Sequence, residues 1–331
     1  MSSSRKILVI LGPTSSGKSD IAIKLAKKFN GEIISADSRQ IYRGMDIGTG
    51  KAKRDRRSRV VPNKSSEARF REGSRENSNA FMSCSIPHYM ISIASPRANY
   101  NVAKFKKQAG KIIKDILKRG KLPVICGGTG FWISAIIDDI NFPEVKPDWK
   151  LRKKLEKYST EKLFAMLEKL DPERAKNIDA KNKVRLIRAI EICKSIKKVP
   201  VLAGIPSVVE GSGQNNKYQF LQIGIKLSRE QLYKNIEKRV KFRFKQGTIE
   251  EVRKLRKQEL SWKKIQSFGL AYFWIPLYLQ NKISKAELIK KVIHAEKNYA
   301  KRQMAWFKRD KRIKWFRNNG SILKKVSNYL K

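Results

Sequence analysis

The sequence predicts an α/β fold in which a parallel β-sheet is flanked by helices and carries a small inserted helical domain. In the stretch Ile7–Ser19, an apolar, β-branched run leads directly into a glycine-rich motif, after which apolar residues recur at helical spacing. Further short apolar runs end in polar or glycine-rich turns, as strands of open α/β sheets do. From Pro143 to about Pro200 these strand signals stop, and helical spacing with dense Lys and Arg indicates a separate helical segment.

The glycine-rich motif has the spacing Gly-x₄-Gly-Lys-Ser, which predicts a P-loop NTPase-like core. Its glycines let successive backbone N–H groups point at one anion, and the following helix adds the positive end of its dipole. Lys18 supplies a positive charge and Ser19 a hydroxyl suited to Mg²⁺, so Ser19 is the candidate metal ligand. An ordinary glycine-rich turn is the alternative. The candidate phosphate-binding residues are Gly12, Pro13, Thr14, Ser15, Ser16, Gly17, Lys18 and Ser19.

A second short strand is predicted at Gly31–Asp37, and it ends in an acidic residue. The carboxyl ends of parallel strands share the edge of the sheet at which the P-loop lies. We therefore expect Asp37 to come near the bound phosphates. The alternative is that Asp37 only caps the N-terminus of a helix.

A second glycine-rich turn is predicted after the next buried strand. Apolar spacing over Asn99–Leu117 predicts a helix, and Leu122–Cys126 predicts the strand that follows it. This strand opens into Gly127–Gly130. Such a turn lets backbone approach a ligand closely, although a simple tight turn explains the glycines equally well.

Composition divides the chain into four parts. Residues 1–142 are predicted to form the P-loop core, within which the polar, Arg-rich residues 52–85 read as a flexible basic insertion. Residues 143–202 are predicted to form the helical insertion, and residues 203–216 a linker. Residues 217–331 are predicted to complete the core with the alternating strand Tyr218–Leu227 and to end in basic helices.

The charge balance points to a polyanionic partner. The chain has 75 Lys and Arg against 29 Asp and Glu, which gives a formal charge of +46. A proteome that favours Lys throughout is the alternative source of part of this excess. Between Lys297 and Arg317, aromatic residues alternate with basic ones. This pattern suits stacking on unpaired bases with phosphate neutralisation, or else an amphipathic helix whose aromatics face the core.

Other residue types exclude several classes of protein. The cysteines Cys84, Cys126 and Cys193 lie far apart, and the chain has only 2 His, so neither a disulfide framework nor a zinc site is expected. A cytoplasmic location follows as an expectation. The N-terminal apolar run is too short for a secretory signal. The longest apolar stretch, Phe268–Leu279, is interrupted by Pro276 and is too short to cross a bilayer, so no membrane association is expected.

Two reaction classes fit these features. The P-loop and a strand-end acid allow a small-molecule phosphotransferase, and they equally allow an enzyme that holds a pyrophosphate leaving group. The high charge favours an enzyme that modifies nucleic acid. The strand Leu122–Cys126 ends in Cys-Gly-Gly and lacks the acid that binds Mg²⁺ in nucleotide hydrolases, although Asp37 could take that place.

Seven blocks of sequence together closely resemble the tRNA dimethylallyltransferase (isopentenyltransferase, IPP transferase) family. They occur in that family's order and cover nearly the whole chain apart from residues 52–85 and 203–216. The resemblance implies transfer of a dimethylallyl group from its diphosphate to the exocyclic amine of the adenosine 3′-adjacent to the tRNA anticodon, with Mg²⁺ as cofactor. The blocks are GPTSSGKS at 12–19, SADSRQIYRGMDIGTGK at 35–51, IPHYMISI at 86–93, GGTGFWI at 127–133, LDPERAKNID at 170–179, RLIRAIEI at 185–192 and YAKRQMAWF at 299–307.

The resemblance also implies roles for single residues. Asp37 looks like the general base and Thr129 like the hydroxyl that holds the amine, while Lys18 and Arg239 look like diphosphate ligands. The expected partners are the tRNA anticodon stem-loop and dimethylallyl diphosphate, and the expected state is a monomer. The residues that match the family's tRNA contacts are Asp37, Ser38, Arg39, Gln40, Thr129, Lys183, Val184, Arg185, Leu186, Ile187, Arg302 and Gln303.

The chain departs from the family's pattern at three places. Asn235 stands where many members carry arginine, Phe268–Leu270 replaces a more usual Ile-Gly-Tyr, and Lys181-Asn182 replaces Asn-Asp. Residues 52–85 have no counterpart in the family's pattern. These departures bear on individual contacts with tRNA and diphosphate and leave the implied reaction unchanged.

Overall fold

The computed structural model describes residues 5–55, 80–196, 218–317 and 319–331. The chain divides into two compact units, the first formed by residues 1–140 and 216–331 and the second by residues 141–215. Within the described residues, no helix is long and apolar enough to cross a membrane.

The first unit is built on a seven-stranded sheet with the order β3-β4-β2-β5-β1-β6-β7. Neighbouring strands run parallel, except for the antiparallel pair β3 and β4. The predicted α/β, P-loop NTPase-like fold is thereby confirmed. The strands are β1 (Lys6–Leu11), β2 (Gly31–Ala36), β3 (Phe81–Ser83), β4 (Ile86–Tyr89), β5 (Leu122–Gly127), β6 (Gln219–Ile225) and β7 (Lys314–Phe316).

Thirteen helices are present in the described part of the chain. They are α1 (Lys18–Lys28), α2 (Val102–Lys118), α3 (Gly130–Ile137), α4 (Trp149–Leu155), α5 (Thr160–Leu170), α6 (Pro172–Asn177), α7 (Lys183–Ser195), α8 (Arg229–Lys245), α9 (Thr248–Lys257), α10 (Trp262–Gln266), α11 (Ala271–Leu279), α12 (Lys285–Phe307) and α13 (Asn319–Leu330).

The central strand β1 separates two hydrophobic cores. Its residues Ile7, Val9 and Leu11 belong to the core shared with α2, α3, α8, α9, α11 and α12, whereas Leu8 and Ile10 belong to the core shared with α1 and α13. Because both faces of the sheet are covered, β1 reads as a continuous apolar run and not as an alternating one. The P-loop therefore begins directly at the carboxyl end of a strand that is buried on both faces of the sheet.

The second unit contains α4, α5, α6 and α7 around a small apolar core. The side chain of Asn182 caps α7 by accepting a hydrogen bond from the N–H of Arg185 at 3.2 Å, so this departure from the family's pattern leaves the helix start intact. Glu191 is buried and accepts hydrogen bonds from Arg152 and Arg188. Burial alone would raise the pKa of Glu191, but these hydrogen bonds lower it to about 2.

The flexible insertion predicted at residues 52–85 includes residues at both of its ends that are part of the ordered core. Strand β3 lies within it, the N–H of Asp55 donates to the carbonyl of Met82 at 3.0 Å, and Ser83 Oγ donates to the carbonyl of Lys53 at 2.8 Å. A three-residue strand is too short to give a readable period, which is why the sequence did not reveal it. Residues 56–79, like the predicted linker at 203–216, lie outside the described residues.

The C-terminal part is not all helical, because β7 adds a parallel strand beside β6. This contact explains a glycine in β6: a Cβ atom at Gly224 would lie 2.5 Å from the ring of Trp315. The predicted alternation of Tyr218–Leu227 is also wrong as a description of burial, because Leu221–Ile225 are all buried between β1 and β7.

Candidate active site

A pocket lies where β1, β2 and β5 end, and helices α8, α11 and α12 also contribute to its wall. This is the edge of an open α/β sheet at which ligands bind. Several predicted site residues meet there, together with residues that the sequence did not single out. The polar residues that line the pocket include Thr14, Lys18, Ser19, Asp37, Arg39, Gln40, Arg239, Arg243, Tyr272, Glu296, Tyr299 and Gln303.

The P-loop has the backbone that its motif predicts. Gly12 and Gly17 have φ values of 154° and 84°, and a Cβ atom at Gly12 would lie 3.1 Å from the carbonyl oxygen of Ile225. The hydroxyls of Ser15 and Ser16 are buried and have no hydrogen-bond partner among the described residues. Buried hydroxyls are normally paired. The loop therefore fits an anion that supplies the missing acceptors.

Lys18 lies within this loop, and its Nζ donates to the carbonyl of Pro13 at 3.1 Å. Burial lowers the pKa of Lys18, and the nearby Arg239 acts in the same direction, while Cys126 and Asp37 oppose it. Two cations held close together in a buried site repel each other. A bound diphosphate would relieve that repulsion, so the electrostatics favour an anionic ligand.

Asp37 follows β2 directly and starts a turn. Its Oδ1 accepts hydrogen bonds from the backbone N–H groups of Arg39 at 2.8 Å and Gln40 at 3.3 Å. The residues after Asp37 form turns, so it does not cap a helix as the alternative proposed. Among the described residues, no donor lies within hydrogen-bond distance of its Oδ2 atom. One carboxylate oxygen thus holds the turn, and the other remains available for a substrate proton.

Thr129 links this turn to the end of β5. Its Oγ1 accepts a hydrogen bond from the N–H of Ser38 at 3.1 Å and donates to Ser38 Oγ at 3.4 Å, and the side chain of Tyr299 lies beside it. Burial raises the pKa of Tyr299 to about 12, and the nearby charge of Asp37 acts in the same direction. Tyr299 therefore stays protonated and can donate a hydrogen bond. The sequence had placed it only in a basic-aromatic stretch, without a role in this site.

The loop after Asp37 is held by a buried carboxylate. Glu251 Oε2 accepts from the N–H groups of Asp46 and Ile47 at 2.6 and 2.7 Å, and Oε1 accepts from the N–H of Gly48 at 3.0 Å and the hydroxyl of Tyr272 at 2.6 Å. Such a fully bonded carboxylate fixes the loop backbone against α9 and α11. Sequence reasoning missed Glu251 because the three backbone groups that it binds lie more than two hundred residues away in the chain.

Two arginines of α8 reach the same loop. Arg243 Nη1 donates to the carbonyl of Gly48 at 2.6 Å, and its Nη2 pairs with the buried Glu296. Arg239 Nη2 donates to the carbonyl of Gly50 at 3.0 Å. Burial lowers the pKa of Arg239, and the nearby Arg243 acts in the same direction. Arg239 therefore presents a partly buried positive charge to the pocket, as expected for a diphosphate ligand.

Asn235, where many family members carry arginine, still touches the P-loop. Its Nδ2 donates to the carbonyl of Ser15 at 3.3 Å, and its Oδ1 accepts from Gln231 Nε2 at 2.8 Å. The second departure, Phe268–Leu270, lines the pocket. Leu270 has a φ of 50°, so a branched apolar residue stands in the left-handed region at the start of α11.

The residues predicted to contact tRNA fall into different environments. In the second unit, the predicted tRNA-binding residues Leu186 and Ile187 are 0% and 6% exposed, and their side chains form the core of that unit and face away from solvent. Their apolar side chains pack against α4 and α5 because α7 is amphipathic. On the same helix Val184 is 77% exposed and Arg185 is exposed, and Lys183 is partly exposed.

Arg302 and Gln303, which are neighbours on α12, also differ in exposure. Arg302 is exposed, whereas Gln303 is only 6% exposed and lines the pocket. In the turn after Asp37, Arg39 and Gln40 line the pocket, and the Gln40 side chain bonds Ser35 Oγ at 3.2 Å. The exposed members of the predicted set thus lie at the surface, whereas Arg39, Gln40 and Gln303 lie in the pocket wall.

The residues present also fit Mg²⁺. No group of three His, Cys, Asp or Glu side chains that could hold a metal occurs in the described ranges. Mg²⁺ usually takes only one or two protein oxygens and completes its shell with water and substrate phosphates. Ser19 lines the pocket, and the hydroxyls of Ser15 and Ser16, which have no partner among the described residues, belong to the same P-loop. That donor set is sufficient for a metal bound together with a diphosphate.

Comparison with known proteins agrees with the motifs and the site. The family model described as IPP transferase matches residues 76–310, and the model described as isopentenyl transferase matches residues 5–60. The tRNA dimethylallyltransferase of Acetivibrio thermocellus is 38% identical to the chain, over 98% of this chain and 97% of the relative. The chain belongs to the IPP transferase family. The resemblance stated from the sequence is confirmed.

Solved structures support the same assignment of this IPP transferase. The tRNA isopentenylpyrophosphate transferase from Bacillus halodurans superimposes with a TM-score of 0.65 at 31% identity, covering 99% of this chain and 96% of the other. The corresponding enzyme from Staphylococcus epidermidis gives a TM-score of 0.63 at 35% identity, covering 98% and 99%. The transferase therefore shares both fold and nearly its full length with these enzymes.

Proposed function

We propose that the protein transfers a dimethylallyl group from dimethylallyl diphosphate to the exocyclic amine of the adenosine 3′-adjacent to the anticodon in tRNA, releasing pyrophosphate. The observation that carries this proposal is the meeting of Asp37 and Lys18 in one pocket. A base with a free carboxylate oxygen and a loop built for phosphate anions are the two groups that such a transfer needs. A kinase-like reaction would not need the charge of +46.

Asp37 acts on the acceptor. An adenine amine is a poor nucleophile, so its attack on C1 of the dimethylallyl group is assisted by transfer of one amine proton to Asp37 Oδ2. The new N–C bond forms as the C–O bond to the diphosphate breaks, and the electron pair of that bond leaves with pyrophosphate. The hydroxyl of Thr129, held by hydrogen bonds with the N–H and the Oγ of Ser38, orients the amine beside Asp37.

The P-loop acts on the leaving group. Its backbone N–H groups, Lys18 and Arg239 stabilise the negative charge that develops on the diphosphate oxygens. When bound, Mg²⁺ adds charge neutralisation on the same oxygens, and Ser19 is the residue that would hold it. Lys18 and Arg239 are only partly exposed, so solvent screens their charges less than it screens those of surface residues, which strengthens this stabilisation.

The tRNA is bound through residues outside the P-loop. Arg39 and Gln40 lie in the pocket wall, where the acceptor base must enter after leaving its stack. The exposed residues Lys183, Val184 and Arg185 of α7 and Arg302 of α12 contribute contacts to the anticodon stem-loop. We propose that the enzyme works in the cytoplasm as a monomer with free thiols.

One assay tests this function directly. Purified protein is incubated with labelled dimethylallyl diphosphate, total tRNA and Mg²⁺, and in a parallel reaction with ATP and a nucleoside. We expect label in a single adenosine of the tRNA and no phosphorylated nucleoside. A phosphorylated nucleoside in the parallel reaction, with no label in tRNA, would instead assign the phosphotransferase reaction.

A further inference from the structure

Helix α12 presents one face to three different parts of the site. Glu296, Tyr299 and Gln303 lie three and four residues apart, so they project from the same side of the helix, and all three line the pocket. Glu296 pairs with Arg243, which binds the loop after β2, and Tyr299 lies beside Thr129 after β5. Gln303 makes the third contact, and its side chain bonds two loops of the site directly.

The amide of Gln303 bridges two catalytic loops. Its Oε1 accepts a hydrogen bond from the N–H of Thr14 in the P-loop at 2.8 Å, and its Nε2 donates to the carbonyl of Gly128 at 2.7 Å. Gln303 is 6% exposed, its bond to Gly128 is buried, and its bond to Thr14 is partly buried. One side chain thus holds both the P-loop, which binds the leaving group, and the Gly127–Gly130 turn, which carries Thr129.

The glycines of the second turn make this bridge possible. A Cβ atom at Gly128 would lie 2.3 Å from Gln303 Nε2, and one at Gly130 would lie 2.1 Å from the ring of Trp306. Neither glycine has a positive φ, so it is close approach to α12 and not turn geometry that requires them. The approach that the sequence suggested for a ligand is made by protein side chains from α12.

We propose that Gln303 is a positioning residue that sets the distance between the P-loop and Thr129, and therefore between leaving group and acceptor amine. The proposal rests on the function proposed above. A side chain of this length that carries both an acceptor and a donor can bond both loops at the same time. Without it, the buried carbonyl of Gly128 and the partly buried N–H of Thr14 lose their partner, and the two loops can move apart. A misplacement of about 1 Å costs about 10²-fold in rate.

Two substitutions separate this role from packing and from tRNA contact. Gln303→Met keeps the volume and removes both hydrogen bonds, and we expect kcat to fall about 10²-fold with the KM for tRNA changed less than about 3-fold. Gln303→Glu can donate to Gly128 only when the introduced carboxyl is protonated. Its activity relative to wild type at the same pH should therefore rise as the pH falls, and that of Gln303→Met should not.

The matched control is Asn298→Ala, which removes an exposed amide of the same helix that bonds only His294 in the described part of the chain. We expect wild-type kinetics and thermal unfolding for it. A Gln303→Met enzyme with normal kcat and a raised KM for tRNA would overturn the proposal in favour of direct tRNA contact. An activity ratio for Gln303→Glu that stays flat with pH would overturn it in favour of packing, and this test stands even if Gln303→Met does not fold. Failure of the wild type to prenylate tRNA would contradict the proposed function instead.

Discussion

Thr129 Oγ1 accepts a hydrogen bond from the N–H of Ser38 at 3.1 Å, which joins the end of β5 to the turn that begins at Asp37. Strand β2, which precedes this turn, is the neighbour of β5 in the sheet, with Ala36 opposite Gly127. A Cβ atom at Gly127 would lie 2.2 Å from the carbonyl of Ala36, so only glycine lets these strand ends come so close. The candidate base and the candidate amine-binding hydroxyl are therefore held together by the sheet itself.

Replacing Asp37 with Asn should remove the base and keep the turn. The substitution retains Oδ1, which accepts from the N–H groups of Arg39 and Gln40, and it abolishes proton uptake at the other atom. We expect kcat to fall by about 10²–10⁴-fold, the usual range for loss of a general base, with pyrophosphate affinity unchanged. Steady-state kinetics and calorimetry measure the two quantities. Turnover within a few-fold of wild type would reduce Asp37 to a residue that only shapes the turn.

Donor binding should weaken at alkaline pH because of Lys18. Burial lowers the pKa of this ammonium from its ordinary 10.5, so it loses its charge at a lower pH than an exposed lysine does. We expect the KM for dimethylallyl diphosphate to rise as the pH is raised through this lowered pKa. The Lys18→Met variant should not transfer the dimethylallyl group. The pyrophosphate binding that remains in this variant should lack the pH dependence. A pH dependence that persists in Lys18→Met would assign it to another group.

The carboxylate of Glu251 should stabilise both the fold and the site. In Glu251→Gln an amide NH₂ replaces one of the two acceptor oxygens, so two donors lose their acceptor: either the N–H groups of Asp46 and Ile47, or the N–H of Gly48 and the hydroxyl of Tyr272. We expect a loss of about 2–4 kcal/mol in the free energy of unfolding, measured by denaturant titration, together with a lower kcat.

The control for this prediction is Glu250→Gln on the same helix. Glu250 is exposed and pairs only with Arg253 among the described residues, so its neutralisation should leave stability and turnover unchanged. Equal losses in both variants would mean that net charge, and not the hydrogen bonds of Glu251, is responsible.

Local motifs were readable from the sequence because they involve residues close together in the chain. The P-loop, the strand-end Asp37 and the glycines at 127–130 each follow from a short pattern. Strands β3 and β7 were missed because three residues show no period. The burial of Leu186 and Ile187 was visible in principle, since α7 has an apolar face at helical spacing.

The polar network around the site was not readable in the same way. Glu251 and Gln303 act on backbone groups 203 and 289 residues away, and no local pattern encodes such contacts. For Gln303 a signal was present, because Glu296, Tyr299 and Gln303 recur on one helical face. A polar stripe that accompanies an apolar one on the same helix favours a buried network over a solvated surface.

Glu32 should make stability depend on pH at the other end of the sheet. Burial alone would raise the pKa of Glu32, but hydrogen bonds from Arg119, Lys121 and Tyr89 lower it from 4.5 to about 2. A lowered carboxyl pKa stabilises the fold above the unfolded value, and this contribution is lost as the pH falls from about 4.5 to about 2. Because Arg119 and Lys121 are 32% and 35% exposed, screening limits the contribution to about 1–2 kcal/mol.

The test compares Glu32→Gln with wild type by thermal or denaturant unfolding between pH 7 and pH 3. The variant should be less stable at pH 7, and the difference should shrink as the pH falls. Glu237→Gln, which removes an exposed pair with Lys241, should show no measurable difference at any pH. A stability deficit of Glu32→Gln that is constant with pH would exclude the charge of Glu32 as its origin.

The excess of basic residues should make tRNA affinity depend on salt. If lysines and arginines of the second unit and of Lys297–Arg317 neutralise about six phosphates, log affinity should fall against log salt with a slope of about −4 to −5. We expect the Arg-rich residues 56–79 to strengthen tRNA binding without fixing the position of the tRNA, because phosphate contacts carry no sequence information. Replacing every Arg and Lys in 56–79 with Ser should therefore weaken binding and flatten the slope.

A second variant separates charge from length. Because Asp55 N–H bonds the carbonyl of Met82, the ends of this segment lie close together, and residues 56–79 can be exchanged for a short Gly-Ser linker that leaves β3 in place. Both variants should bind tRNA more weakly, yet turn over at the wild-type rate once tRNA is saturating. An affinity that does not respond to salt would make the high charge a compositional property. Loss of saturated turnover in the linker variant alone would mean that the length of the segment, and not its charge, supports the catalytic unit.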